Sequence, residues 1–227
     1  MEKINTMKDF KWDNSPEWFK AVVEEEIFQN KIYEKLFTVE EGDVVLDVGA
    51  SVGPFAYSII PNNPKHVICI EPGVKQFHTL VENTQHGKVT CLNKSITYTD
   101  DIIHSNTIYG DEDIFVESYG ISFQTLINQY NLDRIDFLKT DCEGGEYAIF
   151  TPENLVWIKQ NVKKIVGEWH LGNPELNQKF REFRDTYLRI FTNYQCFSVD
   201  GHSINWDLWN EHFLEYYHHV IIYIDNR

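Results

Sequence analysis

Short apolar runs alternate with amphipathic stretches along most of the chain. "DVVLDVGA", "HVICIEP", "VTCLNKSI", "RIDFLKTD" and "KKIVGEWH" are rich in Val, Ile, Leu and Phe and are bounded by Gly, Asp, Asn or Pro. Their shortness and branched content predict buried strands. "PFAYSII", "VKQFHTLVENTQ", "SFQTLINQY" and "NLVWIKQN" lie between or beside them and predict helices, with Phe77, Leu80 and Val81 on one side of the second and Ser122 capping the third. "PELNQKFREFRDTYLRIF" predicts one long amphipathic helix with Pro174 near its first turn, and "YQCFSVD" and "HHVIIYID" read as closing strands. Ahead of the first strand, "NSPEWF" is a helix start, with Ser15 as N-cap, Pro16 at the first helical position and Glu17 in the first turn. Phe19, Val23 and Ile27 recur at helical spacing, and Ile32, Leu36 and Phe37 extend the face until Gly42 breaks it.

Strand and helix in alternation predict an α/β fold: a doubly wound, mostly parallel sheet with helices on both faces. The last two strands are joined by "GHSINWDLWNEHF", which has no long helical pattern, so an antiparallel last strand is expected. Residues 1–41 read as an N-terminal helical segment packing on the core, and residues 42–227 as a single domain. Residues 97–120 are acidic and mixed, with short extended pieces such as "DIFVES".

Composition narrows the partners. The chain has 227 residues, 42% hydrophobic, and a formal net charge of −15. Phosphate-backbone binding needs a basic stripe, so nucleic acid is not the expected ligand. The four cysteines are Cys69, Cys91, Cys142 and Cys196, with no C-x-x-C pair, which suits a reducing compartment. "MEKINTMKDFKW" has no apolar core of a signal peptide, and no apolar run is long enough for a membrane span. A cytoplasmic protein without a membrane partner is expected. Oligomeric state is open.

Parallel sheets of this kind bind ligands outside the carboxyl ends of their strands. The first strand ends in "DVGASVGPF", where Asp47, Gly49 and Gly53 give the spacing D-x-G-x-x-x-G. A dinucleotide fingerprint would need Gly at Ser51 and Gly or Ala at Pro54. Glu71 ends the second strand, about twenty residues on, where an acid accepts hydrogen bonds from a ribose. The Lys and Thr/Ser of a P-loop are missing. An adenosine ligand carrying positive charge suits Asp47 and Glu71 better than a triphosphate, and S-adenosylmethionine is such a ligand. Asn93, Ser95 and Ile96 end the third strand and could line an adenine pocket. Asp141 and Glu143 end the fourth strand, and Glu168 and His170 lie near the end of the fifth. Side by side they would form an acid and acid–His group able to take a proton. A Mg²⁺ ion held by Asp141, Glu168 and His170 is a secondary expectation. A plain helix cap by Glu168 and His170 is the structural alternative.

"VVLDVGASVGPFAYSI", "VICIEPG", "FHTLVEN", "RIDFLKTDCEGGEYAIF" and "KKIVGEWH" together resemble the FkbM-type S-adenosylmethionine-dependent methyltransferases, over roughly residues 42–172. "IDFLKTDCEGGE" is the most specific part; the glycine turn and Glu71 are common to class I methyltransferases. The resemblance implies a seven-stranded Rossmann-like sheet and O-methylation of a hydroxyl, often on a sugar, glycan or natural product. It implies that Asp47, Gly49, Ala50, Ser51 and Gly53 cradle the methionine part of the cofactor, that Glu71 holds the ribose, and that residues 93–96 flank adenine. Asp141 and Glu143 would face the transferred methyl and the acceptor, and Asp141 would touch both. Ser51 departs from the Asn common in the family. Residues 100–118 and the tail after residue 172 match no family pattern, and acceptor specificity is expected there.

On this reading Asp141 or Glu143 orients the acceptor, and His170 or an acid serves as base. Two rivals stand beside it: a methyltransferase-like binding module without activity, and a nucleotide-dependent oxidoreductase on the same fold, which Ser51 and Pro54 disfavour. The acceptor is expected to be a small molecule or glycan; no N-P-P-Y-like motif follows the fourth strand.

Overall fold

The computed structural model describes residues 9–13, 15–109 and 112–227; over residues 103–109 and 112–117 only the backbone is described. The strands among them are β1 (Val44–Val48), β2 (His66–Ile70), β3 (Val89–Leu92), β4 (Ser95–Thr97), β5 (Ile102–Tyr109), β6 (Glu112–Ser122), β7 (Ile135–Thr140), β8 (Val162–His170), β9 (Tyr194–Phe197) and β10 (His219–Asp225). The main sheet has seven strands in the order β3-β2-β1-β7-β8-β10-β9. β10 is antiparallel to both neighbours, and the other pairings are parallel. Strand order reverses between β1 and β7, the switch point where such sheets open a ligand crevice.

Alternation along each strand builds two cores. Leu46, Ile68, Leu138 and Ile165 sit side by side in register and bury on one face. Val45, Val67, Phe137 and Val166 bury on the other. Trp169 is fully buried in the first core and stacks on Phe183 at 4.9 Å. Cutting such a side chain back to Ala typically costs about 3–5 kcal/mol.

The helices are α1 (Glu17–Val23), α2 (Pro54–Ile59), α3 (Val74–Asn83), α4 (Phe123–Gln129), α5 (Glu146–Ile149), α6 (Pro152–Asn161), α7 (Pro174–Glu182) and α8 (Phe213–Tyr216). Ser122, Thr151 and Asn173 cap α4, α6 and α7 through side-chain oxygens that accept backbone N–H bonds.

Four expectations change. Pro16, not Ser15, is the N-cap of α1, and the helix begins at Glu17. The helical face stops well before Phe37: α1 continues as a π-helical turn over Glu24–Gln29. Ile32 then donates to the Glu26 carbonyl (2.9 Å), and Lys31 adopts φ 49°, which reverses the chain. The helix from Pro174 is also not continuous; it passes into a π-turn (Phe183–Tyr187) and a 3-10 turn (Leu188–Ile190). Last, "VTCLNKSI" is divided. Asn93 donates to the carbonyls of Glu71 (3.0 Å) and Pro72 (2.9 Å), drawing the chain off the main sheet, so that Ser95 pairs with Gly120 in a second sheet of order β4-β6-β5.

Val23, Ile27, Tyr33, Phe37 and Val39, all ahead of β1, bury against the face containing Val45, Phe55 and Phe137. Residues 1–8 and Asn14, which belong to the expected N-terminal segment, lie outside the described residues. So do Gly110 and Asp111, and the side chains of residues 103–117, within the stretch expected to carry acceptor specificity. Among the described residues no helix is long and apolar enough to cross a membrane.

Candidate active site

The tips of three parallel strands are tied together at the switch point. The N–H groups of Gly49 and Ala50 both donate to the Ile70 carbonyl at 3.0 Å, and the N–H of Asp141 donates to the Val48 carbonyl at 3.0 Å. Gly49 has φ 75°, and a Cβ there would collide with the Asp141 carbonyl, so only glycine lets β1 and β7 approach this closely. Ser51 follows at φ 51° and Glu143 stands opposite at φ 54°. Two non-glycine residues in the left-handed region, one on each lip of a cleft, are stored strain of the kind found at functional sites.

Between these lips lies a cavity of about 620 Å³, within the range of small-molecule sites. Gly49, Ala50, Ser51 and Glu71 line it, with Ser95 and Ile96. Asp141 and Glu143 give it an acid end next to Gly49, and Glu26 and Tyr33 reach it from the N-terminal segment.

Glu71 is 8% exposed. Its carboxylate accepts from Ser51 N–H (2.8 Å) and Gly73 N–H (2.7 Å). Burial dominates even so, and pushes its pKa up to about 7. A carboxylate has room for about four hydrogen bonds, so two acceptor positions remain for donors in the cavity.

Asp47 does not reach the cavity. It is fully buried, with Oδ1 3.1 Å from the Lys139 ammonium. Lys139, also buried, donates to the Gly49 carbonyl (2.8 Å) and lies 5.2 Å from the centre of the Tyr33 ring. Burial alone would lower its pKa, but Asp47 and Asp141 outweigh this and raise it, so the ammonium stays charged under the glycine turn. Gly53, at φ 88°, starts α2 and packs on Leu80 rather than lining the cavity. Asn93 is likewise off the cavity wall, its amide spent on the Glu71 and Pro72 carbonyls.

At the acid end, the Tyr33 hydroxyl donates to Asp141 Oδ2 at 2.7 Å. Glu146, fully buried at the start of α5, accepts from Gly144 N–H (2.9 Å) and from the His170 main-chain N–H (2.7 Å). Its Oε1 also lies 3.0 Å from His170 Nδ1. His170 Nε2 then faces Glu143 (3.4 Å), Glu168 (3.5 Å) and Asp141 (3.9 Å). Burial would lower the imidazole pKa, but Glu146, Asp141 and Glu143 overcome it and bring it to about 10. With no ion bound, these carboxylates favour the imidazolium, the form of His170 that does not accept a proton. Burial raises the Glu143 carboxyl above its ordinary range, with His170 pulling it back down. Glu26 is raised to about 7, first by burial and then by Glu168 and Asp141.

Pattern reading missed Glu26, Tyr33, Lys139, Glu146 and His219 as members of this neighbourhood. Lys139 had a signal, a lone cation inside the apolar run "IDFLKT". Glu26 and Tyr33 had none, because the π-turn and the reversal at Lys31 place them.

S-adenosylmethionine fits these residues. Gly49, Ala50 and Ser51 line the cavity, Glu71 offers buried acceptor positions for a diol, and Asp141, Glu143 and Glu26 in the same cavity complement a sulfonium and an ammonium. Mg²⁺ does not fit the expected trio of Asp141, Glu168 and His170: it demands an oxygen set, whereas His170 brings an imidazole to it and His219 Nδ1 lies 2.8 Å from Glu168.

No curated protein sequence matches the chain. Among solved structures, a Listeria monocytogenes protein provisionally classed as an S-adenosylmethionine-dependent methyltransferase superposes with TM-score 0.51 at 11% identity, covering 92% of this chain and 99% of that one. A Clostridium thermocellum protein provisionally classed as an rRNA methylase gives 0.53 at 12% identity, covering 88% and 96%. At these identities the likeness is one of fold: a Rossmann-like methyltransferase sheet. The profile of the FkbM methyltransferase domain matches residues 47–195, from the buried acid of β1 into β9. The chain belongs to the FkbM methyltransferase domain family of S-adenosylmethionine-dependent methyltransferases.

Proposed function

We propose that the protein transfers a methyl group from S-adenosylmethionine to a hydroxyl oxygen of a small acceptor, a sugar, glycan or hydroxylated natural product. One observation carries this reading: a single cavity runs from Ser51 and Glu71 to Asp141 and Glu143. Cofactor end and acid end are thus parts of one space.

When bound, the cofactor supplies an electrophilic methyl on a sulfonium. Glu71 accepts from the ribose hydroxyls, Ser95 and Ile96 flank the adenine, and Gly49, Ala50 and Ser51 hold the methionine part. Asp47 acts from below, by keeping Lys139 against the Gly49 carbonyl, and Gly53 and Asn93 shape the two loops. Asp141, fixed by Tyr33, orients the acceptor hydroxyl. Glu143 takes its proton; its side chain is 49% exposed at the cavity lip. Its raised pKa brings it nearer neutral pH, where a general base works best. His170, its Nδ1 held by Glu146, faces Glu143 and Asp141 from behind and positions them. Holding oxygen and methyl in line then supplies much of the rate. Residues 42–227 form the catalytic domain, and the segment before them completes the acceptor end through Glu26 and Tyr33.

The net charge of −15 and the acids at this end disfavour a nucleic-acid acceptor. An S-adenosylhomocysteine-release assay across sugars, glycans and hydroxylated metabolites tests the reading. Release with a hydroxylated acceptor, lost in Glu143→Gln, supports it; release only with RNA or DNA overturns it.

A further inference from the structure

Beside the acceptor end, the sheet assembles a group of side chains that lie behind the acids lining the cavity and are not on its wall. His170 and His219 are register partners across the antiparallel β8–β10 pair. Glu168 lies two residues before His170, so it projects from the same face. Cross-strand pairing therefore brings one oxygen and two nitrogen ligand atoms within 4.8 Å of one another. His170 of "GEWH" and His219 of "HHV" are 49 residues apart in the chain, and neither alone suggests a shared site.

We propose that Glu168, His170 and His219 form a binding site for one divalent transition-metal ion.

The orientation of His170 is the independent observation. Its side chain is 9% exposed, and Nδ1 is engaged by the fully buried Glu146 at 3.0 Å. Nε2 points into the group and makes no hydrogen bond among the described residues; its nearest neighbours are carboxylate oxygens at 3.4 Å or more. A bound ion takes the place of the Nε2 proton that these carboxylates otherwise favour. A carboxylate fixing one ring nitrogen while the other faces a ligand set is the outer-shell arrangement of metal-bound histidines. Glu146 is itself anchored by the Gly144 N–H at 2.9 Å, so the ring orientation is set by main chain on two sides.

Donor type selects the ion. Two imidazoles and a carboxylate favour Zn²⁺, Co²⁺, Ni²⁺ or Fe²⁺ over Mg²⁺ and Ca²⁺, which require mostly oxygen. Glu143 and Asp141, on the cavity side of His170, provide further oxygens at the open side. An ion here lies next to the wall where an acceptor would sit. The site itself does not depend on what that acceptor is.

The test is metal titration of the full-length protein after stripping with a chelator, in the absence of cofactor. Calorimetry follows Zn²⁺, Co²⁺ and Mg²⁺ separately, and visible absorption reports the coordination of Co²⁺. One equivalent of Zn²⁺ or Co²⁺ should bind at least ~100-fold more tightly than Mg²⁺. His219→Ala, at a half-exposed position that tolerates truncation, should weaken binding at least ~10-fold, and Glu146→Gln by ~10–100-fold. Absence of stoichiometric binding, equal affinity for Mg²⁺, or an unchanged affinity in His219→Ala overturns the site. Because no readout uses methyl transfer, failure here is separate from failure of the proposed reaction.

Discussion

The Tyr33 hydroxyl donates a 2.7 Å hydrogen bond to Asp141 Oδ2, tying a loop before the first strand to the acid at the tip of β7. Burial, reinforced by Asp141, holds the phenol pKa well above its ordinary value, so it remains a donor at any working pH. A hydrogen bond to a charged group contributes about 1.5–3 kcal/mol. Tyr33→Phe should therefore lower stability by about that amount, measured by urea unfolding. It should also reduce turnover roughly tenfold, about 1.4 kcal/mol of transition-state stabilisation, while S-adenosylhomocysteine affinity stays near wild type.

The proposed ribose contact of Glu71 makes cofactor affinity depend on pH. Its pKa is raised from 4.5 to about 7 in the folded protein. The protonated form is favoured by folding, so the stability gained is complete below about 4.5 and lost as pH rises through 7. Ribose hydroxyls bind the ionised form, which works in the opposite direction. S-adenosylhomocysteine affinity measured by calorimetry should rise between pH 5 and about 7 and then level off. Glu71→Gln should bind more weakly and show none of this rise. Unfolding free energies of the two proteins should shift in favour of Gln across the same interval, by on the order of 3 kcal/mol at most.

Lys139 and Asp47 stand or fall together. Removing one partner of a buried ion pair costs about 3–5 kcal/mol, because the other charge is left alone. Lys139→Met should show that loss in denaturant unfolding. Replacing both, Lys139→Met with Asp47→Leu, should recover most of it. Cofactor affinity should remain reduced in the double variant, since nothing then holds the Gly49 carbonyl.

Glu143 and His170 divide a role that the sequence left undecided. Glu143→Gln should reduce kcat by ~10²–10⁴ with cofactor affinity unchanged. A base of raised carboxyl pKa also predicts that the acidic limb of the kcat/KM profile disappears in this variant. A limb that persists in Glu143→Gln would move the base to another group, Glu26 being next in line.

The sheet was legible from sequence because its signals are local. Runs such as Val44–Val48 and Ile135–Thr140 are short, branched and bounded by turn residues. Glycines and acids at their ends followed the general rule for ligand position in parallel sheets. The departures arise where distant contacts override local pattern. Asn93 breaks a strand by bonding to carbonyls of the neighbouring loop. Asp47 looks like a ligand from its position, but β7 supplies Lys139, and the acid turns inward. His170 shows no partner in the local pattern, and only the fold places Glu146 3.0 Å from its ring. His219 becomes part of the site only when β10 pairs antiparallel with β8.

Oxygen methylation in this cleft is tested most directly with S-adenosylmethionine carrying a deuterated methyl group. It is offered together with a panel of sugars, glycans, hydroxylated metabolites, amines and RNA, and products are resolved by mass spectrometry and NMR. A deuterated methyl ether on a small hydroxylated acceptor, formed one for one with S-adenosylhomocysteine and lost in Glu143→Gln, is the predicted result. Label on nitrogen, on carbon or in RNA would contradict it.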